Sequence, residues 1–353
     1  MENNLAATNK TINLQRLVLV SLLLAILVIG LGAYTRLTHA GLGCPDWPGC
    51  YGLIDVPQTP EQIQKAEQAF PERPVEPEKA WNEMIHRYFA GSLGLFILTI
   101  AIISFNLRQR GLPFKLPLFL LALVIFQAAL GMWTVTMKLM PIVVMAHLLG
   151  GFTTLCLLFL LYLRLANSAS TKPSPNKRYM TLGIIGIAIL AGQIALGGWT
   201  SANYAAMSCV ELPICQGDWS KQLSFKEAFE LIPPKKDSYE FGHLPHEARV
   251  TIHISHRFGA IITSIYLLYL ATAVIRQNTN IKAQQYAKAL LIILSLQVLL
   301  GISNIWFTLP LSIAVAHNLV AACLMLCLIA LTFHLVKVPV REINPIRGSI
   351  KYG

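Results

Sequence analysis

Charge is scarce in this chain. Asp, Glu, Lys and Arg make up only 13% of its 353 residues, against roughly 25% in soluble domains. The deficit falls in blocks: none of the four occurs in residues 17–34, 88–107, 116–137, 139–163, 179–210, 258–275 or 289–336. A helix needs about 20 apolar residues to cross a bilayer, and the last block is long enough for two crossings with Pro310 at the turn. These absences exclude an ordinary soluble domain. They predict an all-α integral membrane protein with eight transmembrane helices. A cleavable signal pattern is also lacking, as is an Arg-rich, acid-poor transit peptide, since Glu2 stands near the start. A bacterial inner membrane is the simplest home, with a processed organelle protein as the alternative.

The charge that is present is uneven, 28 basic against 17 acidic residues for a net +11. Its placement argues against nucleic acid and for membrane lipids. Lys10 and Arg16 precede the first crossing, and Arg108, Arg110 and Lys115 lie between the second and third. Arg164, Lys172, Lys177 and Arg178 separate the fourth from the fifth, and Arg276, Lys282 and Lys288 the sixth from the seventh. Lys337, Arg341, Arg347 and Lys351 follow the eighth. All fall on one side of an eight-pass topology, whereas the short opposite loops hold Lys138 and no other basic residue. The excess of Lys and Arg on cytoplasmic loops then puts both termini inside. The long loops, about 39–82 and 203–248, lie outside.

The chain repeats itself. Shifted by 165 positions, "GAYTRLTHAGLGCPDWPGC" from Gly32 lies over "GGWTSANYAAMSCVELPIC" from Gly197. Gly32, Thr35, Ala40, Cys44, Pro48 and Cys50 meet Gly197, Thr200, Ala205, Cys209, Pro213 and Cys215. A shift of 170 superposes His86-Arg87 on His256-Arg257, Gln127 and Gly131 on Gln297 and Gly301, and Ala146-His147 on Ala316-His317. Two tandem four-helix bundles in a parallel internal repeat are expected, since both copies start on the same side. The predicted halves are 1–166 and 179–353, joined by a polar linker at 167–178.

Each half carries one histidine on its second crossing, His86 or His256, and one on its fourth, His147 or His317. All four crossings run from outside to inside. Each histidine sits six to eight residues past the outer boundary, roughly 10 Å deep at 1.5 Å per residue. Ionisable groups at such depth are costly and face the bundle interior for a purpose. Two imidazoles on facing helices of a bundle can hold heme iron from both sides. A single such histidine is readily explained as a hydrogen bond to a neighbouring helix; duplication of the pair at matched depth favours heme. Zinc is disfavoured because no second pair of ligands stands at helical spacing beside any of the four. Arg87 and Arg257, one step further in, suit heme propionates or snorkel outward.

One difference between the halves stands beside these histidines. Glu83 stands three residues before His86, where His253 precedes His256. Residues i and i+3 share a helix face, so Glu83 is expected to point towards the His86 site, where a carboxylate can take or deliver a proton. The alternative is a solvated residue at the helix start. Cys44 with Cys50 and Cys209 with Cys215 repeat one spacing in the outer loops, where disulfides persist; free thiols are the alternative. Cys156, Cys323 and Cys327 read as small core residues. Trp47, Trp81, Trp133, Trp199, Trp219 and Trp306 fall near outer boundaries, as in an aromatic belt. Residues 61–70 and 223–232 suggest short amphipathic helices over the outer face.

With "YTRLTHAGLGCPDWPGC", "EMIHRYFAG", "AHLLGG", "GGWTSANYAAMSC", "HISHRFGA" and "AHNLVAA" in order, the chain resembles the heme A synthase family across all eight crossings. The resemblance implies oxidation of a methyl substituent of heme O to a formyl group, giving heme A for cytochrome oxidase. It implies a resident heme b on His256 and His317 in the C-terminal half. The substrate heme would lie between His86 and His147, with Glu83 needed for turnover. Two hydroxylations would give a geminal diol that loses water to the aldehyde, by activated dioxygen or by electron removal and water attack. The electron donor or acceptor is unspecified. The enzyme that makes heme O and a second copy of this chain, as a homo-oligomer, are candidate partners.

Two rivals use the same residues differently. A diheme b-type cytochrome passing electrons between quinol and a partner needs the four histidines and not Glu83. A thiol oxidant would rely on the outer cysteines, which lack the Cys-x-x-Cys redox spacing. A channel would not explain paired histidines.

Overall fold

The structure is a computed structural model, and it describes residues 2–110, 112–167, 171–173, 177–213, 215–277 and 280–339. The basic residues Arg341, Arg347 and Lys351, and parts of the 167–178 linker, lie outside the described residues. Among the described residues eight helices are long and apolar enough to cross a membrane. They are α1 (Glu2–Leu37), α3 (Pro77–Asn106), α4 (Lys115–Thr136), α5 (Pro141–Ala166), α6 (Lys177–Ala202), α8 (His246–Gln277), α9 (Ile281–Trp306) and α10 (Leu311–Val336). In α1 the crossing portion is Ile12–Leu37. Without water, every backbone N–H and C=O in such a stretch must be satisfied internally, and a helix does that within one segment. Pro77 and Pro141 stand in the first turns of α3 and α5, where a missing N–H costs no hydrogen bond.

Two shorter helices lie in the long loops. Helix α2 (Pro60–Ala69) starts with a reciprocal cap, Thr59 accepting from the Gln62 N–H while Gln62 reaches back. In the second loop a single turn, α7 (Phe225–Ala228), occupies part of the region where a longer amphipathic helix is expected. Strands β1 (Thr171–Pro173) and β2 (Lys337–Pro339) pair antiparallel; apart from this ladder and a Cys50–Leu53 bridge, the elements among the described residues are helical. The ladder ties the linker to the segment after α10.

The helices contact one another in two sets. Helix α1 packs on α3 and α5, and α4 packs on the same two. Helix α6 packs on α8 and α10, and α9 packs on the same two. Thus α3 stands across from α5, and α8 across from α10. Contacts of α10 with α1 and α5, and of α5 with α6, join the sets. Backbone detail recurs too. Lys138 and Leu139, between α4 and α5, have φ of 48° and 64°, while Thr308 and Leu309, between α9 and α10, have 55° and 63°. Non-glycine residues seldom take this left-handed conformation.

The two largest clusters lie at the end of each set away from the long loops. Leu14, Val18, Leu22, Ile97, Ile100, Leu120, Leu155, Leu158 and Leu161 form one buried cluster, and Leu267, Leu270, Val274, Leu290, Leu328 and Leu331 belong to another. Smaller buried clusters at the loop-bearing end include Ala80 with Met84 and Trp199 with Ile252. The four histidines beside them are part-buried.

Candidate functional site

The four histidines lie at the loop-bearing ends. His86 projects from α3 and His147 from α5; His256 projects from α8 and His317 from α10. The helices within each pair stand across their set from one another, and the two rings are within electrostatic range. Each histidine remains part-exposed, although Met84 and Ile252, nearby on the same helices, are fully buried.

Each ring rests on a glycine of a neighbouring helix. A Cβ placed on Gly32 would lie 3.0 Å from His86 Cε1, and one on Gly197 3.1 Å from His256 Cε1. For Gly131 and His147 the distance is 3.4 Å, and for Gly301 and His317 3.2 Å. At Gly32, Gly197 and Gly301 a side chain would press on the imidazole, so glycine is what lets the ring approach the helix; at Gly131 the contact is an ordinary one. Four residues before three of these glycines stands a glutamine. Gln127 Nε2 donates to the His147 carbonyl at 3.0 Å. Gln193 Nε2 donates to the His256 carbonyl at 3.0 Å and lies 3.0 Å from His256 Nδ1. Gln297 Nε2 lies 3.2 Å from His317 Nε2. Sequence reasoning aligned Gln127 with Gln297 without a role and passed over Gln193; the recurring Gln-x-x-x-Gly spacing was the available signal.

Glu83 is 4% exposed, which overturns the alternative of a solvated residue at the helix start. One carboxylate oxygen accepts the Cys44 N–H at 2.9 Å, and the other is ion-paired with Arg87. Arg87 also donates to the carbonyls of Gly49 at 2.6 Å and Pro48 at 3.3 Å. Arg257 donates to the carbonyls of Cys209 at 2.5 Å and Glu211 at 2.8 Å. Both arginines therefore fasten a cysteine loop to the helix that carries a histidine. His253, which takes the place of Glu83 in the second half, is buried with Nδ1 3.0 Å from the Ala205 carbonyl. Cys44 with Cys50 and Cys209 with Cys215 are at disulfide-bonding distance.

Other expectations need correcting. Trp199 is 3% exposed, its indole N–H donating to the Ala228 carbonyl at 2.7 Å, so it anchors the second loop and does not belong to a lipid-facing belt. Cys323 is exposed on α10 and is no core residue. His334 is buried against the Tyr286 ring at 5.3 Å. Unforeseen contacts join the two sets near the long loops. Arg36 lies 4.0 Å over the Tyr204 ring and donates to the Ser201 carbonyl at 2.7 Å. His39 stacks on Tyr204 at 5.8 Å, and Arg73 pairs with Glu240 at 2.9 Å. Burial, then Arg36, holds the His39 pKa below the ordinary histidine value.

Two observations bear on whether a heme would fit. The four histidines are part-buried on helices long and apolar enough to cross a membrane, and the buried Nδ1 atoms of His86, His147 and His317 meet no hydrogen-bond partner of good geometry. Among the described residues no group of three or more His, Cys, Asp or Glu is placed to hold a bare metal ion. Two facing imidazoles suit an iron whose other ligands come from a macrocycle.

The family described as cytochrome oxidase assembly protein, COX15-CtaA, matches residues 15–329. A heme A synthase of Shewanella oneidensis is 51% identical over 319 residues, covering 90% of this chain and 94% of the relative. The chain belongs to the heme A synthase family. More distant members are similar over nearly the same extent. The heme A synthase of Chelativorans sp. is 28% identical, over 86% of this chain and 85% of its own. That of Bacillus licheniformis is 24% identical, over 83% and 86%. Family membership makes this an enzyme of heme A formation and favours that reading over a cytochrome that only conducts.

Proposed function

We propose that the chain oxidises the methyl substituent of heme O to a formyl group within the membrane, yielding heme A. The observation that carries this reading is the 51% identity to a heme A synthase over nearly the whole chain. The two histidine pairs of the structure supply the site on which it rests. The reaction withdraws four electrons from the methyl carbon and adds one oxygen atom, so an acceptor outside the chain or dioxygen has to take part.

The chain is two tandem four-helix bundles, 1–166 and 179–353, related by an internal repeat. Supporting this, the 165-position shift carries Arg36 onto Ser201 and His39 onto Tyr204, and these pairs touch each other. Contact between equivalent positions is what a two-fold axis between the halves would produce. The distribution of basic residues supports cytoplasmic termini and histidines in the outer half of a bacterial inner membrane.

His86 and His147 hold the substrate heme; His256 and His317 hold a resident heme b. When bound, that heme supplies one-electron redox chemistry beside the substrate site. The chain's own residues do the rest. The glycine seats set the imidazoles against their helices, and the cysteine loops fastened by Arg87 and Arg257 cover the outer ends and limit water. Propionates reaching that level would compete with the loop carbonyls for the two guanidinium groups. Glu83 is the proton-handling group, and its confinement to one half supports a division into a reacting and a conducting site.

The test is to supply heme O to the purified protein with an electron acceptor and identify the extracted pigments. Hydroxymethyl and formyl products are expected. Quantitative recovery of unaltered heme O beside a bound heme b would instead favour the conducting cytochrome.

A further inference from the structure

Any enzyme whose substrate is held by two axial ligands faces a conflict between grip and release. A resident heme needs both ligands permanently, but a substrate heme has to enter and its product has to leave. One iron bond in the substrate site must open readily, and the amide contacts to the four histidines, on ring or main chain, differ in a way that identifies which.

Glutamines one turn from the glycine seats contact three of the four histidines: Gln193 and Gln297 reach the rings of His256 and His317, and Gln127 holds the main-chain carbonyl of His147. The fourth is His86. Its seat is Gly32, and four residues earlier stands Val28. By the 165-position shift Val28 takes the place of Gln193. The main-chain surroundings do not differ in the same way. The rings of His86, His147 and His317 are close to the backbone carbonyls of Val28, Gln127 and Gln297 respectively. The side-chain amide is thus what His86 lacks.

That amide matters because an axial imidazole is held by more than its metal bond. A polar partner on the ring fixes its orientation, and loss of such a partner typically costs about 10–100-fold in metal affinity; a partner on the main chain, as Gln127 is to His147, steadies the turn that bears the ring. The carbonyl oxygens of all three glutamines are buried without a partner, as is Nδ1 of His86, His147 and His317. An amide turns end for end at little cost, so each glutamine can accept from an imidazole N–H as well as donate. Val28 offers neither. The valine also cannot be satisfied by an alternative rotamer, since its side chain has no polar atom.

We infer that His86 is the releasable ligand of the substrate heme, and that Gln127, Gln193 and Gln297 are positioning residues that keep the other three histidines in place. This deepens the proposed function and rests on it. His86 also stands one turn beyond Glu83, whose carboxylate is tied to Cys44 and Arg87. An opened iron face would therefore lie in the half that carries the buried carboxylate.

Carbon monoxide is the probe, since it binds ferrous heme only where an axial ligand yields. Protein loaded with heme in both halves is reduced and its CO difference spectrum recorded, with total heme measured separately. In the unaltered chain one of the two hemes should bind CO. Val28→Gln should restore the missing contact and lower CO affinity about 10–100-fold with total heme unchanged. Gln297→Val, made in the other half, should render the resident heme CO-reactive. Equal CO reactivity of the unaltered chain and a heme-loaded Val28→Gln would overturn the inference, as would CO binding confined to the C-terminal half. Should Val28→Gln fail to accumulate, Gln297→Val decides: a resident heme still inert to CO counts against the positioning role. Protein that holds no heme on these histidines would refute the underlying reading instead, so the two failures are told apart by the heme content.

Discussion

Glu83→Gln is the most informative substitution, because it separates a carboxylate that moves protons from one that only holds a loop. The side chains of Glu83 and Arg87 are 6% and 13% exposed. Removing one member of a buried pair costs about 3–5 kcal/mol because the survivor is left uncompensated. Here Arg87 keeps the carbonyls of Gly49 and Pro48, and a glutamine oxygen can still accept the Cys44 N–H. The loss of stability is therefore expected near the lower bound, about 3 kcal/mol. The loss of a positioned proton carrier is larger in rate, about 10²–10⁴-fold. The assay follows heme O conversion, retained heme b and heat stability on the same preparations. Arg87→Gln serves as the comparison, since it breaks the same pair and leaves the carboxylate. If Glu83 handles protons, Glu83→Gln should lose conversion far beyond its loss of heat stability, with heme b retained. Full conversion by Glu83→Gln would refute the role. So would parallel losses in the two variants, which is what a loop fastening alone would give.

The remaining predictions concern the ligands, their seats, the loops and pH. His256→Ala or His317→Ala should abolish the resident heme b, whereas His86→Ala or His147→Ala should leave it in place, as read from extracted pigments. Gly197→Val should crowd His256, whose Cε1 lies 3.1 Å from the Cβ position; overpacking of about 1–3 kcal/mol and loss of heme b are expected in its visible spectrum. Replacing Cys209 and Cys215 together by Ser should cost about 2 kcal/mol for so short a loop. Arg257 should keep that loop seated, so heme b content should hold while the melting temperature drops. Finally, His39 has a folded-state pKa below its ordinary value of 6.5. As pH falls through 6.5 and then through the lower folded value, the unfolded chain takes up the proton first. Stability from this group is thus present above 6.5 and lost on acidification. His39→Phe should flatten the acid side of the heat-stability profile.

What the sequence discloses and what it hides divide along a physical line. Hydropathy registers the thickness of a bilayer, so all eight crossings are visible as charge-free blocks, but α3 and α8 begin at Pro77 and His246, about a dozen residues before their blocks at 88 and 258, because their first turns carry charge. Motifs that recur at shifts of 165 and 170 positions are legible in the sequence, and the expectation of four histidines at one level came from them. Neighbour relations are another matter. Nothing in a one-dimensional pattern says that Arg87 and Arg257 turn towards loop carbonyls, or that Trp199 is enclosed by the second loop. Nor does it say that His39 meets Tyr204, a contact that depends on how the halves dock. The glycine seats were half legible: Gly32, Gly131, Gly197 and Gly301 all appear in the repeat alignment, but their reason is the approach of a ring from another helix. Short β pairing at Thr171–Pro173 and Lys337–Pro339 joins segments too far apart in the chain for any local signal.

The most direct measurement is the visible spectrum of protein purified from heme-replete cells, with its extracted hemes identified and counted per chain. Two bis-imidazole sites predict a coloured protein with a low-spin b-type spectrum, carrying heme b together with heme O or its oxidised products. A colourless preparation, or one whose heme content is unchanged when all four histidines are replaced by alanine, would contradict the account.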